Sequence, residues 1–237
     1  MPVMRLDKLL SECSTLSRSQ VKQNIKGGSV TVNGSIITVP EYKVDSDADD
    51  VIFDGQHVVY EKFVYYMLNK PAGLLSATDD KKQKTVIDLF PAELRKKGLF
   101  PVGRLDKDTT GLLLVTNDGE FAHRIISPKS EITKTYHAVT EGSANSDDIV
   151  AFKQGVMLAD GTKCLPADLE PLPDGSCLVR VMEGKYHQVK RMLASRGKPV
   201  KALKRLSIGG LELDNSLFPG EFRRLSENEL CIVIKKK

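Results

Sequence analysis

Two textures within one chain predict an α+β protein in two parts. A small α/β unit spans residues 1–60, and a larger unit over residues 61–237 carries a mixed, mainly antiparallel sheet flanked by helices. Three observations lead there. The first sixty residues join two short amphipathic helix patterns to a hairpin signal. The remainder alternates many strand-like runs with few helices. No G-x-G-x-x-G or P-loop text is present to call for a doubly wound nucleotide fold. The chain has 237 residues and is 41% hydrophobic, which allows a real core.

Leu6, Leu9, Leu10 and Cys13 recur at i, i+3, i+4 and i+7, one apolar face of a short helix, with Arg5, Lys8 and Glu12 off that face. A second helix starts near Ser17, where Ser17-x-x-Gln20 matches a capping box, and stops at Gly27-Gly28. Val21 and Ile25 face its core, while Arg18, Lys22 and Lys26 form one basic stripe. Asn33-Gly34 between β-branched runs predicts a hairpin. The acidic stretch Asp45 to Asp54 reads as a last strand and a linker, with the domain boundary near residues 58–63.

The second unit opens with a buried strand, Phe63 to Lys70, broken at Pro71-Ala72-Gly73. Residues 78–84 are polar and loop-like, and Thr85 to Phe90 reads as a short helix ended by Pro91. Asp118-Gly119-Glu120 caps a helix with Phe121, Ala122, Ile125 and Ile126 inward. Residues 133–140 alternate as a strand, and further strands are expected at 164–169, 177–182, 200–204 and 206–213. A helix from His187 to Ser195 places Val189, Met192 and Leu193 in the core and His187, Lys190, Arg191 and Ala194 opposite. Lys235-Lys236-Lys237 reads as a frayed tail.

Charge is segregated more than it is large. The net charge is +4, from 35 basic and 31 acidic residues. Lys185 to Leu206 holds eight Lys or Arg, among them Lys204 and Arg205, and no acid; Val44 to Glu61 holds six acids and no Lys or Arg. Such a division fits a positive surface facing a polyanion. Cys13, Cys164, Cys177 and Cys231 show no C-x-x-C spacing and no His partners at ligand spacing, so free thiols and no metal are expected. No apolar run is long enough to cross a bilayer, and Met1-Pro2-Val3-Met4-Arg5 starts no signal peptide, so a cytoplasmic chain is expected.

The candidate chemistry centres on Gly103-Arg104-Leu105-Asp106-Lys107-Asp108-Thr109-Thr110-Gly111, between the apolar runs at 99–102 and 112–115. Neighbouring cations favour the ionised form of an aspartate, which then serves as nucleophile or electrostatic stabiliser. The competing reading is a surface turn whose Asp residues accept backbone hydrogen bonds. Two other groups lie downstream: Lys134 with Tyr136 on a strand, and Lys185-Tyr186-His187-Gln188-Val189-Lys190-Arg191-Met192 at a helix start. An aromatic wall, polar groups and cations are what an RNA base lifted from its stack requires. Each has an ordinary alternative: Tyr136 as a core residue, Lys190 and Arg191 as a solvated face, His187 as a cap, Asp108 as a loop-shaping group or a second carboxylate.

Residues 4–50 resemble the S4 RNA-binding domain, through Arg5-Leu6-Asp7-Lys8-Leu9-Leu10, Ser17-Arg18-Ser19 and Gly28-Ser29-Val30-Thr31-Val32-Asn33-Gly34. The rest resembles the RsuA family of pseudouridine synthases. The matching text is Met67-Leu68-Asn69-Lys70-Pro71-Ala72-Gly73, Gly103-Arg104-Leu105-Asp106 with Asp108-Thr109-Thr110-Gly111-Leu112, Lys134-Thr135-Tyr136, and Glu183-Gly184-Lys185 through Met192. The resemblance implies isomerisation of a uridine in RNA, most like the branch acting on small-subunit (16S) ribosomal RNA. It makes Asp106 the essential carboxylate, Lys190 its cationic partner, Tyr136 the ring against the everted base and Arg104 a group reaching toward RNA. It also implies RNA contact through Arg5, Lys8, Arg18, Lys22 and Lys26. The reaction is redox-neutral, and no cofactor is expected; the partner would be ribosomal RNA, and the protein a monomer. Two other readings stay open: action on large-subunit (23S) RNA, and a non-catalytic ribosome-assembly factor. A metal-dependent glycosyl-transfer site at Asp106-x-Asp108 is a third.

Overall fold

The structure is a computed structural model describing residues 3–234, so the Lys235–Lys237 tail lies outside it. The chain forms two compact units, Met1–Phe63 with Pro91–Gly98 and Val64–Phe90 with Leu99–Lys237. Among the described residues no helix is long and apolar enough to cross a membrane.

The first unit begins with strand β1 (Val3–Arg5), helix α1 (Leu6–Cys13) and helix α2 (Arg18–Lys26). The Ser17/Gln20 capping box forms in both directions, so two amides left over at the start of α2 are satisfied. Strands β2 (Val30–Val32) and β3 (Ser35–Ile36) flank Asn33 and Gly34, whose φ values of 51° and 78° make the tight turn. Strand β4 (Lys43–Asp45) pairs antiparallel with β1. The acidic segment, expected to hold a last strand and then a linker, has its strand but continues into a turn and a further strand in place of the linker. It holds strand β5 (Val51–Phe53), which pairs with β2, and a second tight turn at Asp54-Gly55 leads into β6 (Gln56–His57). The acids turn the chain: Asp49 accepts bonds from the Asn33 side chain and the Asp45 amide, both at 2.8 Å. Leu6, Leu9, Leu10, Val21, Ile25, Val30 and Val44 form the core.

The second unit is built on one sheet. Its elements are β7 (Tyr65–Lys70), a 3₁₀ turn at Val86–Leu89, β8 (Phe100–Pro101), β9 (Thr110–Thr116), α4 (Gly119–Ile126), β10 (Lys134–Thr140) and α5 (Ser146–Gln154). The short helix α3 (Ala92–Arg95) lies in the segment grouped with the first unit. There follow β11 (Asp168–Pro171), β12 (Cys177–Val181), α6 (Gln188–Ser195), β13 (Val200–Ile208), β14 (Leu211–Glu212), β15 (Phe222–Arg224) and α7 (Glu227–Val233). The strand order is β11-β12-β10-β13-β9-β7-β15, with β8 on β9 and β14 on β13. Pairing is antiparallel except between β13 and β9. At that parallel join a Cβ on Gly111 would lie 2.3 Å from the Arg205 carbonyl oxygen, and φ there is 97°, so the position requires glycine.

Three expectations are revised. The runs at 200–204 and 206–213 are one strand, β13, followed by a Gly209-Gly210 turn and β14. The strand expected at 164–169 falls at 168–171. Ile126, expected inward, is 48% exposed, because α4 ends there and turns its last residue out. Helices α5 and α7 and strand β15 were not anticipated. Two apolar clusters sit on the sheet: one joins α5 and α6 to β10–β13, the other joins α4 and α7 to β7 and β9.

Candidate active site

The loop between β8 and β9 is fixed from below by Lys70, the last residue of β7. Its side chain is fully buried, and Nζ donates to the carbonyls of Pro71 (3.0 Å), Asp106 (3.2 Å), Lys107 (3.2 Å) and Thr109 (2.9 Å). Burial pulls this ammonium down to about 8, while the charges of Asp108 and Asp106 oppose the shift. Ser76 adds a reciprocal clamp: its hydroxyl donates to the Leu105 carbonyl at 2.8 Å and accepts from the Leu105 amide at 3.1 Å. The Gly73 amide donates to the Lys107 carbonyl at 2.7 Å. The backbone on both sides of Asp106 is therefore set before any ligand arrives.

The Asp106 carboxylate remains 25% exposed and faces the start of α6. One oxygen lies 3.3 Å from His187 Nε2, the other 3.3 Å from Lys190 Nζ. Lys190 also reaches Asp108 at 2.5 Å, and that bond holds the Asp108 carboxyl below its usual range. His187 is the residue before α6, with φ 48° and ψ 34°, a left-handed conformation that is uncommon outside glycine. Just upstream, Gln188 and Glu183 brace the entry. The Gln188 amide donates to Glu183 and accepts from the Lys185 backbone amide, at 2.8 and 2.9 Å. Glu183 also accepts the Leu165 amide at 2.8 Å and pairs with the Lys185 ammonium.

Asp106, Thr109, Tyr136, Val181, His187 and Leu203 line an inner pocket of about 70 Å³. Tyr136 is half-buried on β10, with the Arg205 guanidinium 5.9 Å from its ring centroid. The pocket opens past Arg104 and Lys185 into a wider cleft of about 860 Å³. An anchored carboxylate, two cationic or polar partners and an aromatic wall thus surround a space sized for one small ring. Among the described residues no group of three His, Cys, Asp or Glu is arranged to hold a metal ion.

Residues 64–195 match the RNA pseudouridylate synthase family, and residues 4–52 match the S4 domain. The chain belongs to the RsuA family of RNA pseudouridine synthases. It is 40% identical to the ribosomal small subunit pseudouridine synthase A of Escherichia coli K12 over 98% of this chain and all of that one. It is 45% identical to the RNA pseudouridine synthase YtzG of Bacillus subtilis, a relative of uncharacterised activity, over 97% and 98% of the two chains. A crystal structure of a pseudouridylate synthase superposes with a TM-score of 0.69 at 38% identity, covering 97% and 99%.

Within this synthase the structure brings Asp106, Lys190, His187 and Arg104 to one cleft, with Tyr136 in its inner wall. Arg104 is exposed at the mouth, and no ion pair of it is found among the described residues. Three residues expected to meet RNA directly are placed otherwise. Lys134 is buried on β10, its Nζ 3.3 Å from the Ile125 carbonyl; burial and the nearby Arg205 charge bring its ammonium down to about 8. Arg205 is buried as well, donating to the Leu112 carbonyl at 2.7 Å and approaching the Tyr136 hydroxyl at 3.4 Å. Gln188 is buried and spends its amide on Glu183 and Lys185. All three are buried against protein partners, although one guanidinium nitrogen of Arg205 finds no hydrogen-bond partner among the described residues. Lys204 is exposed beside them on β13, and Arg191 is ion-paired with Asp160.

In the S4 domain, Asp7 is the residue the sequence reading passed over. Its side chain is fully buried at the start of α1, yet Arg5 (2.8 Å), Arg18 (3.4 Å) and Lys22 (3.8 Å) converge on it. Burial raises its carboxyl, the bonds from Arg5 and Arg18 lower it, and the net shift is downward. The cationic group is thus organised by one anion rather than spread as a free stripe. Lys8 pairs with Glu12 at 3.8 Å, and Lys26 is exposed at the end of α2. The detectable signal was an acid one residue into an otherwise apolar and basic helix start.

Proposed function

We propose that this synthase isomerises a uridine of small-subunit (16S) ribosomal RNA to pseudouridine, with Asp106 as its essential carboxylate. The observation that carries the reading is the pairing of Asp106 with Lys190 and His187 at 3.3 Å beside a pocket walled by Tyr136. The choice of RNA follows the Escherichia coli relative, a ribosomal small subunit pseudouridine synthase aligned over 98% of this chain and all of its own.

The uracil occupies the inner pocket after leaving its stack, with Tyr136 against it. The bond from N1 to the sugar C1′ breaks, the ring turns, and C5 joins C1′. A proton leaves C5 and N1 carries one in the product, so the atoms balance without an oxidant or reductant. An ionised carboxylate serves this rearrangement by attack on the base at C6 or by action at C1′. Lys190 keeps negative charge favourable at Asp106, and Lys70 holds the loop backbone so that the carboxylate meets the base without reorganising. Arg104 and the cations of the S4 domain, Arg5, Lys8, Arg18, Lys22 and Lys26, contact the RNA outside the pocket.

The test is chemical mapping of pseudouridine in ribosomal RNA from cells with and without this protein, together with Asp106→Asn assayed in solution. Loss of one small-subunit pseudouridine in the deletion, restored by the wild-type chain and not by the Asn variant, is the expected result. A variant that keeps full turnover would overturn the role of Asp106. A lost site in large-subunit RNA would overturn the assigned substrate.

A further inference from the structure

The most exposed large aromatic of the second unit stands at the mouth of this site. Tyr186 is 74% exposed, although its neighbours Gln188 and Val189 are buried. It is not a loose side chain, for its ring lies on the His187 ring with centroids 3.9 Å apart and planes 18° from parallel. The left-handed backbone at His187 makes this possible by turning the chain sharply into α6. The far edge of the His187 ring touches Asp106 through Nε2 at 3.3 Å. Two stacked rings thus lead from the carboxylate to the outer cleft.

Tyr186 lines that cleft together with Ile126, Phe100 and Leu75. Ile126 is itself 48% exposed, so the cleft offers apolar surface besides the Tyr186 ring. Arg104 and Lys107 border the same cleft and supply positive charge. Apolar surface, a supported aromatic face and flanking cations suit a nucleobase followed by its phosphate, not a solvated turn. A uridine turned out of a strand also leaves its neighbour without a stacking partner, and the cleft is continuous with the inner pocket.

We propose that Tyr186, backed by His187, is a stacking platform for the nucleobase adjacent to the target uridine. This rests on the reading of the inner pocket as a uracil site. The platform joins binding to chemistry: a base lying on Tyr186 presses the His187 ring into place and so steadies the group that faces Asp106.

The experiment uses a nine-residue oligouridylate with 2-aminopurine at its centre, titrated with the full chain. Binding to the wild type quenches the fluorescence as the purine stacks. Tyr186→Ala removes most of that quenching and weakens binding about 5- to 150-fold, the range that losing one base–aromatic stack produces. Tyr186→Phe keeps both, because the ring and not the hydroxyl does the stacking. An oligouridylate with an abasic centre binds the wild type as weakly as the Ala variant and shows no further loss in that variant. Equal quenching and affinity for wild type and Tyr186→Ala would overturn the platform, as would a Phe variant as damaged as the Ala one. The signal needs no turnover. Absence of pseudouridine from ribosomal RNA would therefore sink the proposed reaction alone, and unchanged quenching in an active enzyme would sink the platform alone.

Discussion

Lys190 serves two carboxylates at once: its Nζ lies 3.3 Å from Asp106 and 2.5 Å from Asp108. The two acids are unlike. Asp106 is 25% exposed in the pocket wall, whereas Asp108 is 76% exposed on the far side of the ammonium. Charge removed from Lys190 is felt where water is scarce, at Asp106, and screened at Asp108. Lys190→Met should lower the single-turnover rate by roughly 10²–10³-fold, comparable to deleting one preorganised electrostatic partner. Lys190→Arg should keep part of the rate, and Asp108→Asn should change it by less than about threefold. A larger loss for Asp108→Asn than for Lys190→Met would reverse the assignment.

Lys70 acts on the reaction without touching substrate. Four carbonyls share its ammonium, and two of them belong to Asp106 and Lys107. Lys70→Met removes one bond from each oxygen; the Asp106 and Lys107 carbonyls keep the Thr109 and Gly73 amides, so the loop is loosened rather than stripped of every bond. The expected outcome is a fall in kcat with RNA affinity nearly kept, and faster amide exchange across residues 103–109. Lys70→Arg is the second variant, since its longer fork reaches some of the same carbonyls and should restore part of the exchange protection. Unaltered exchange in the Met variant would refute the pinning role.

Much of this was readable in the residues. The capping box at Ser17, the Asn33-Gly34 turn, the Asp118 cap and the Gly103–Gly111 loop are local signals, and each formed as its spacing dictates. What escaped depends on partners far along the chain. The acids of 45–54 read as a last strand and a linker, without the turns, because their hydrogen bonds to Asn33 and the pairing of β5 with β2 are tertiary. Lys134 and Arg205 read as RNA ligands because charge is visible in a sequence and burial is not; both sit on adjacent strands of one sheet. The task of Lys70 leaves no local signal in the sequence, since its four carbonyl partners mostly lie some forty residues on.

The two buried lysines make folding depend on alkaline pH. Lys70 and Lys134 each fall to about 8 in the folded chain, from 10.5. Between those values the unfolded chain holds more protons than the folded one, so stability rises as pH climbs from about 8 toward 10.5. Lys134→Met removes one of the two groups. Its denaturation midpoint should climb less steeply over that window than the wild type's, and its RNA affinity should match the wild type's. A marked loss of RNA affinity would restore Lys134 to the RNA-contacting set.

Salt dependence tests which cations remain for the phosphates. In the basic stretch 185–206, Arg205 is buried, Lys185 is held by Glu183 and Arg196 by Asp148. Lys201 and Lys204 are exposed on β13, beside a cleft that also contains Lys190 and His137. Phosphate contacts from the three cations left in this stretch, Lys198, Lys201 and Lys204, should add roughly −2 to the slope of log affinity for single-stranded RNA against log salt. Lys201→Ala should make that slope shallower by about 0.7 and weaken all sequences alike, since phosphates carry no sequence information. A wild-type slope near zero would mean that neither the exposed cations of β13 nor those of the S4 domain meet the RNA backbone, and that affinity comes from the pocket.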